Sequence, residues 1–180
     1  NTYGQLGIGV LGGSSNVPVR VSDPSYAWHT GQPVFNPAAG PKSAVTTVQL
    51  TSATVGATIY YTTDGSTPST SSASVPSGGT VVVDRTLTLK AVALLSGMAP
   101  SDVVSGAYTL TLPIPTLSPG PGTYSTPQTV TCSSAVAGAT LRYTTNGNLP
   151  TEADPVCAGS VAVSQSVLLR VGAWKAGWTA

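Results

Sequence analysis

Polar and apolar residues alternate with period two through much of the chain. Ile59 and Tyr61 bracket Tyr60, and Leu87, Leu89 and Ala91 alternate with Thr88 and Lys90. Further along, Leu141 and Tyr143 bracket Arg142, and Val167, Leu169 and Val171 alternate with Leu168 and Arg170. Alternation of this kind predicts strands with one face buried and one in solvent. The pairs Asp64-Gly65 and Asn146-Gly147 each follow such a run directly. Both are turn signals, because Gly, Asn and Asp tolerate positive φ. No segment has a convincing helical period. Many short strands punctuated by turns predict a β-sandwich architecture.

The alternation occurs twice because the chain repeats itself. Shifted by 82 residues, Pro33–Pro68 lies on Pro115–Pro150 without a gap, and 16 of the 36 positions are identical. The densest match sets GATIYYTTDGSTP (56–68) on GATLRYTTNGNLP (138–150). A two-residue deletion follows, after which VVVDRTLTLKAVALLSGM (81–98) meets VAVSQSVLLRVGAWKAGW (161–178). Solvent-facing Tyr60 falls on Arg142, and core-facing Ile59 falls on Leu141. The predicted fold is all-β. An extended N-terminal segment and linker covers 1–32, a first sandwich 33–112 and a second 113–180.

Composition narrows the functional classes. Charged residues make up 7% of the chain, against about 25% in an average globular protein. Gly (20) and Pro (15) are abundant, yet hydrophobic residues reach 41%, which excludes classical disorder. A net charge of +1 leaves no electrostatic footprint for nucleic acid or an anionic membrane. No apolar run approaches the roughly 18–20 residues of a membrane span. No signal peptide is visible, and a start at Asn1 without Met suggests processing or trimming.

Residues able to carry chemistry are few. His29 is the single histidine, in a stretch (23–32) that reads as linker, and Glu152 is the single glutamate. Asp64 invites an acid/base role, but the repeat replaces it with Asn146, which serves a turn and not a general acid. Glu152 and Asp154 offer two carboxylates where Ca²⁺ wants six to eight oxygens, so a solvated loop is the expectation. No catalytic residue, metal site or cofactor is expected. Cys132 and Cys157 read as a disulfide in a chain of secreted character. Cys132 takes the core-facing place of Leu50, and the bridge would close a segment for which chain entropy gives about 3–4 kcal/mol. Trp174 and Trp178, in AWKAGWTA, fall on Leu94 and Met98. They admit two readings, packing at a core or interface, or stacking on sugar rings. The Ser/Thr-rich loop STPSTSSAS (66–74) offers sites for O-linked sugars, and no N-x-S/T sequon is present.

The run YYTTDGSTP, a Ser/Thr-rich loop, TLTLKAVA and then SGMAPSD resembles the Fn3-like domain at the C-terminus of chitobiases and β-hexosaminidases. The second copy carries RYTTNGNLPT and VLLRVGAW, and the two together span about 33–180. The resemblance implies an immunoglobulin-like fold without catalytic residues, an accessory to hydrolases or a stalk in bacterial surface proteins. NTYGQLGIG with SSNVPVRVS (1–22) resembles instead the end of a regulator-of-chromosome-condensation repeat, less than one propeller blade.

The two copies differ at their ends. The first continues past Met98 through APSDVVSGAYTL, which reads as a final strand with Tyr108 and Leu110 pointing inward. The second has no such continuation within the sequence, so its sandwich is expected to lack that strand. Three or four uncovered core side chains would forfeit about 5–10 kcal/mol, and the open edge would be a template for another chain. Val17, Val19 and Val21 alternate with Pro18 and Arg20 and are candidate donor residues for that groove in a neighbouring subunit. Head-to-tail donation that does not close builds a filament. The alternative is that a longer chain was simply cut here. The expected function is a non-catalytic structural or adhesive module at the cell surface or outside the cell. Its partners would be further copies of itself or other surface proteins. The second reading is a carbohydrate-binding accessory region of a secreted glycoside hydrolase, with glycans as ligands.

Overall fold

A computed structural model describes residues 28–179. All regular structure among them is β, arranged as two tandem immunoglobulin-like sandwiches.

In the first sandwich, β1 (Val34–Asn36), β3 (Thr46–Thr51) and β6 (Thr80–Val83) form one sheet in the order β1-β3-β6. The facing sheet runs β2 (Gly40–Lys42), β8 (Val104–Leu110), β7 (Leu87–Leu94), β4 (Thr58–Thr62), β5 (Ala73–Pro76). The alternating sequence explains the core. Val48 and Leu50 of β3, Val81 and Val83 of β6, Ile59 of β4, Leu89 and Ala91 of β7, and Tyr108 and Leu110 of β8 are all buried between the sheets. Tyr61 and Leu87 pack against that core from partly buried positions, while Val82, out of phase, is exposed.

The second sandwich repeats part of this plan. β9 (Thr116–Ser118), β10 (Gln128–Ser133) and β12 (Ser160–Val163) form a sheet ordered β12-β10-β9, equivalent to β6-β3-β1. Among the described residues, the other sheet consists of β11 (Thr140–Thr144) and β13 (Arg170–Trp174), the counterparts of β4 and β7. Its core joins Cys132, Leu141, Cys157, Val161 and Ala173, with Tyr143 and Leu169 packed alongside.

The turns after β4 and β11 are built by side chains as well as by glycine. Gly65 and Gly147 take positive φ (80° and 82°), whereas Asp64 and Asn146 do not. The latter two act as acceptors: Asp64 Oδ1 receives Ser66 N (2.9 Å) and Ser66 Oγ (2.6 Å), and Asn146 Oδ1 receives Asn148 N (3.0 Å). Thr62 and Thr144 hydroxyls close the same turns onto the carbonyls of Ser66 and Asn148. A carboxylate and an amide oxygen serve equally here, which is why the repeat tolerates the exchange.

The two sandwiches meet in a packed seam. Trp178 is buried against the first core, and its Nε1 donates to Asp84 O (2.8 Å). Thr86 N donates to Gly177 O (2.7 Å), and Leu112 touches both cores.

The 23–32 stretch is not all linker. Residues 28–32 are tied to the first sandwich: Thr30 Oγ1 donates to Ala99 O (3.1 Å) and accepts from Leu95 N (3.2 Å), and Gly31 N donates to Thr54 Oγ1 (2.8 Å).

Candidate functional site at the open edge of the second sandwich

The last strand of the first sandwich shows what has no counterpart among the described residues of the second. β8 lies antiparallel to β7, with Tyr108 opposite Leu87 and Gly106 opposite Leu89, and parallel to β2 on its other side. Tyr108 plugs the end of the core. It is fully buried, its hydroxyl donates to Pro37 O (2.9 Å), and Lys42 Nζ lies 5.7 Å from its ring centre. Burial raises the Tyr108 phenol above its ordinary pKa, so it stays a neutral donor.

Among the described residues, no strand pairs with the corresponding edge of β13, which is bonded to β11 alone. The consequences spread. Residues 122–124, at the place of β2, form no strand, because β2 is held by β8. Val83 is fully buried while its counterpart Val163 is only half-buried, and the same holds for Leu89 with Leu169 and Ala91 with Val171. A groove of about 550 Å³ opens where β8 would lie, lined by Leu117, Pro119, Tyr124, Val163, Val167 and Leu169 among others. At equivalent repeat positions Phe35, Pro37, Lys42, Val83, Leu87 and Leu89 surround Tyr108 and its strand. The groove residues were not singled out by sequence as a set. The signal that finds them is the repeat, once the neighbours of Tyr108 are known.

The other candidates are dispersed. Cys132 and Cys157 are joined in a disulfide with Cα atoms 6.5 Å apart, inside the second core. His29 Nδ1 donates to Pro100 O (3.0 Å) at the surface. Asp64 is exposed and Asp154 half-buried, and both are held below the usual carboxylate range by local hydrogen bonds, from Ser66 and Thr151 respectively. Asp154 Oδ2 accepts from Thr151 N (2.7 Å) and Thr151 Oγ1 (2.8 Å), so its carboxylate folds the loop. Among the described residues no three His, Cys, Asp or Glu side chains are grouped to hold a metal. Trp178 lies in the seam, where its ring is not offered to a sugar. Trp174 is half-buried over the backbone of Gly172, beside a hollow of about 540 Å³ that also includes Arg142, Glu152 and Lys175. Val17, Val19 and Val21, and the propeller-like stretch 1–22, lie outside the described residues.

The chitobiase/beta-hexosaminidase C-terminal domain family matches residues 37–105 and again 119–180. The chain belongs to this family. Each match to the chitobiase/beta-hexosaminidase C-terminal domain falls on one sandwich, and the first ends just inside β8, so most of the final strand lies beyond it. No curated protein and no solved structure matches the chain.

Proposed function

We propose that this chain is a non-catalytic, extracellular structural module of a bacterial surface protein that assembles head to tail by accepting a strand into its second sandwich. One observation carries the reading: the edge of β13, unpaired among the described residues, borders an apolar groove whose counterpart in the first sandwich is filled by β8. Unpaired strand edges over apolar surface recruit further strands, and main-chain bonds with alternate side-chain pockets are how such recruitment gains affinity and register. The Cys132–Cys157 bridge and the 7% charge content support an oxidising, extracellular setting. Size-exclusion chromatography and negative-stain microscopy over rising concentration test the reading. Oligomer ladders or fibres are the expected result, and a single monomeric species at high concentration overturns it.

A second reading is carbohydrate binding. It is favoured by the half-buried Trp174 beside the hollow with Arg142 and Glu152, and by the family to which the chain belongs. Retention on chitin that is lost in Trp174→Ala would support it.

A further inference from the structure

Two short stretches of backbone dock in the same way on the two sandwiches. Where the chain leaves β8, Thr179 N donates to Leu110 O and Leu112 N donates to Thr179 O, both at 2.8 Å. Where the chain enters the first sandwich, Ala99 N donates to Trp28 O (2.7 Å) and Thr30 N donates to Ala99 O (2.9 Å). Both are parallel bridges, His29 with Ala99 and Thr111 with Thr179. Trp28 therefore stands at the place of Leu110, the last inward residue of a final strand. Leu110 is 0% exposed, whereas Trp28 is 62% exposed. The likeness continues upstream: at the same spacing of 82, Ser14, Pro18, Val21 and Tyr26 fall on Ser96, Pro100, Val103 and Tyr108. Residues 21–28, VSDPSYAW, thus read as a final strand without its sandwich. Among the described residues, the second unit shows no final strand.

We propose that residues 21–28 of one copy of this chain form the final strand of the second sandwich of another copy, with Tyr26 seated in the groove and Trp28 at the site equivalent to Leu110. The proposal rests on the head-to-tail reading and fixes its donor and register.

The acceptor supplies a counterpart for each neighbour of Tyr108 named above. Pro119, which lines the groove, falls on Pro37, the acceptor of the Tyr108 hydroxyl. Val167 falls on Leu87, the residue opposite Tyr108, and Tyr124 falls on Lys42, which covers the ring. Leu110 N donates to Thr86 Oγ1, and Ser166 supplies a hydroxyl at that place for Trp28 N. Met98 stands at the place of Trp178, so it would meet the neighbour's 164–166 turn as Trp178 meets 84–86. Every junction along the assembly then repeats the one already built between the two sandwiches.

This register revises the valine expectation. With Val21 at the site of Leu110, six residues would separate the strand from docked Trp28, where the existing junction has none. Pro24 opposes the fit in one respect. It takes the place of Gly106, on the set of β8 residues whose N–H groups point toward β7, as that of Leu110 does, while Thr111 N points to β2. Pro24 therefore forfeits one ladder bond and weakens the junction.

The test uses the full chain, with thermal unfolding confirming that each variant is folded. Tyr26→Ala and Trp28→Ala should each raise the concentration needed for assembly by about tenfold or more. Val17→Ser with Val19→Ser should leave it unchanged, and Pro24→Gly should lower it. Tyr26→Cys in one copy and Val167→Cys in another should cross-link on mixing, whereas Tyr26→Cys with outward-facing Leu168→Cys should not. Assembly that survives Tyr26→Ala and Trp28→Ala but fails in the valine variant overturns this register and leaves head-to-tail assembly standing. A Tyr26→Cys, Val167→Cys double variant that cross-links only within one chain overturns donation to a second copy. A wild-type chain that stays monomeric overturns both.

Discussion

The two sandwiches share one plan, but among the described residues the five-stranded sheet of the first is matched by two strands in the second, and the difference shows how far the influence of β8 extends. In the first, β8 covers the core with Tyr108 and Leu110, holds β2 through a parallel ladder, and leaves Val83, Leu89 and Ala91 dry. In the second, with nothing on the β13 edge among the described residues, the β2 equivalent is irregular and Val163, Leu169 and Val171 are partly wet. The second unit carries a feature the first lacks, the Cys132–Cys157 bridge, tying its core strand β10 to the loop before β12. A cross-link that limits the unfolded ensemble offsets part of what an open groove loses. The asymmetry is local, because the turns after β4 and β11 and the docking of 28–30 and 110–112 are nearly the same in both units.

Making the first unit resemble the second should have the largest effect. Tyr108→Ala removes a fully buried aromatic side chain and its bond to Pro37 O, and should destabilise the first sandwich by about 3–5 kcal/mol in urea unfolding. Removing the bridge tests the second unit from the opposite side. A Cys132→Ala, Cys157→Ala variant should lose about 3–4 kcal/mol, and the transition that moves, followed by Tyr143 and Tyr61 proximal probes, should be that of the second sandwich. Equal movement of both transitions would show that the seam couples them fully. Trp178→Ala addresses that seam. It should cost about 3 kcal/mol and separate the unfolding of the two units in calorimetry.

The smallest effect is expected at Asp64. Its folded-state pKa lies below the ordinary value, chiefly through the Ser66 hydrogen bonds. The stabilisation is therefore complete above the ordinary carboxylate pKa and is lost as pH falls through the lower, folded-state value. Asp64→Asn, which copies Asn146, should leave neutral stability nearly unchanged and flatten the acid limb of the melting temperature below about pH 4. An unchanged acid limb would remove the turn hydrogen bonds from the account.

Much of the fold was legible because the alternation is registered twice. Ile59 with Leu141 and Tyr60 with Arg142 separate core from solvent without any structure, and the structure places Ile59 and Leu141 in the cores. The Cys132–Cys157 pairing was legible for a similar reason, since Cys132 occupies an inward position known from Leu50. The role of Asp64 and Asn146 was legible only as a turn. That the glycines carry the positive φ, and the Asx side chains the hydrogen bonds, depends on backbone geometry. Residues 28–32 read as linker because their partners, Ala99, Leu95 and Thr54, are far away in sequence.

The sequence by itself determined the strand faces and the repeat, because a period-two pattern is a local property of the backbone. Only the tertiary structure decided that Trp178 belongs to the seam, that a groove lies at the place in the second unit equivalent to that of Tyr108, and that the backbone of Trp28 pairs with Ala99. Each of these depends on which distant segments come into contact, and no local spacing encodes that.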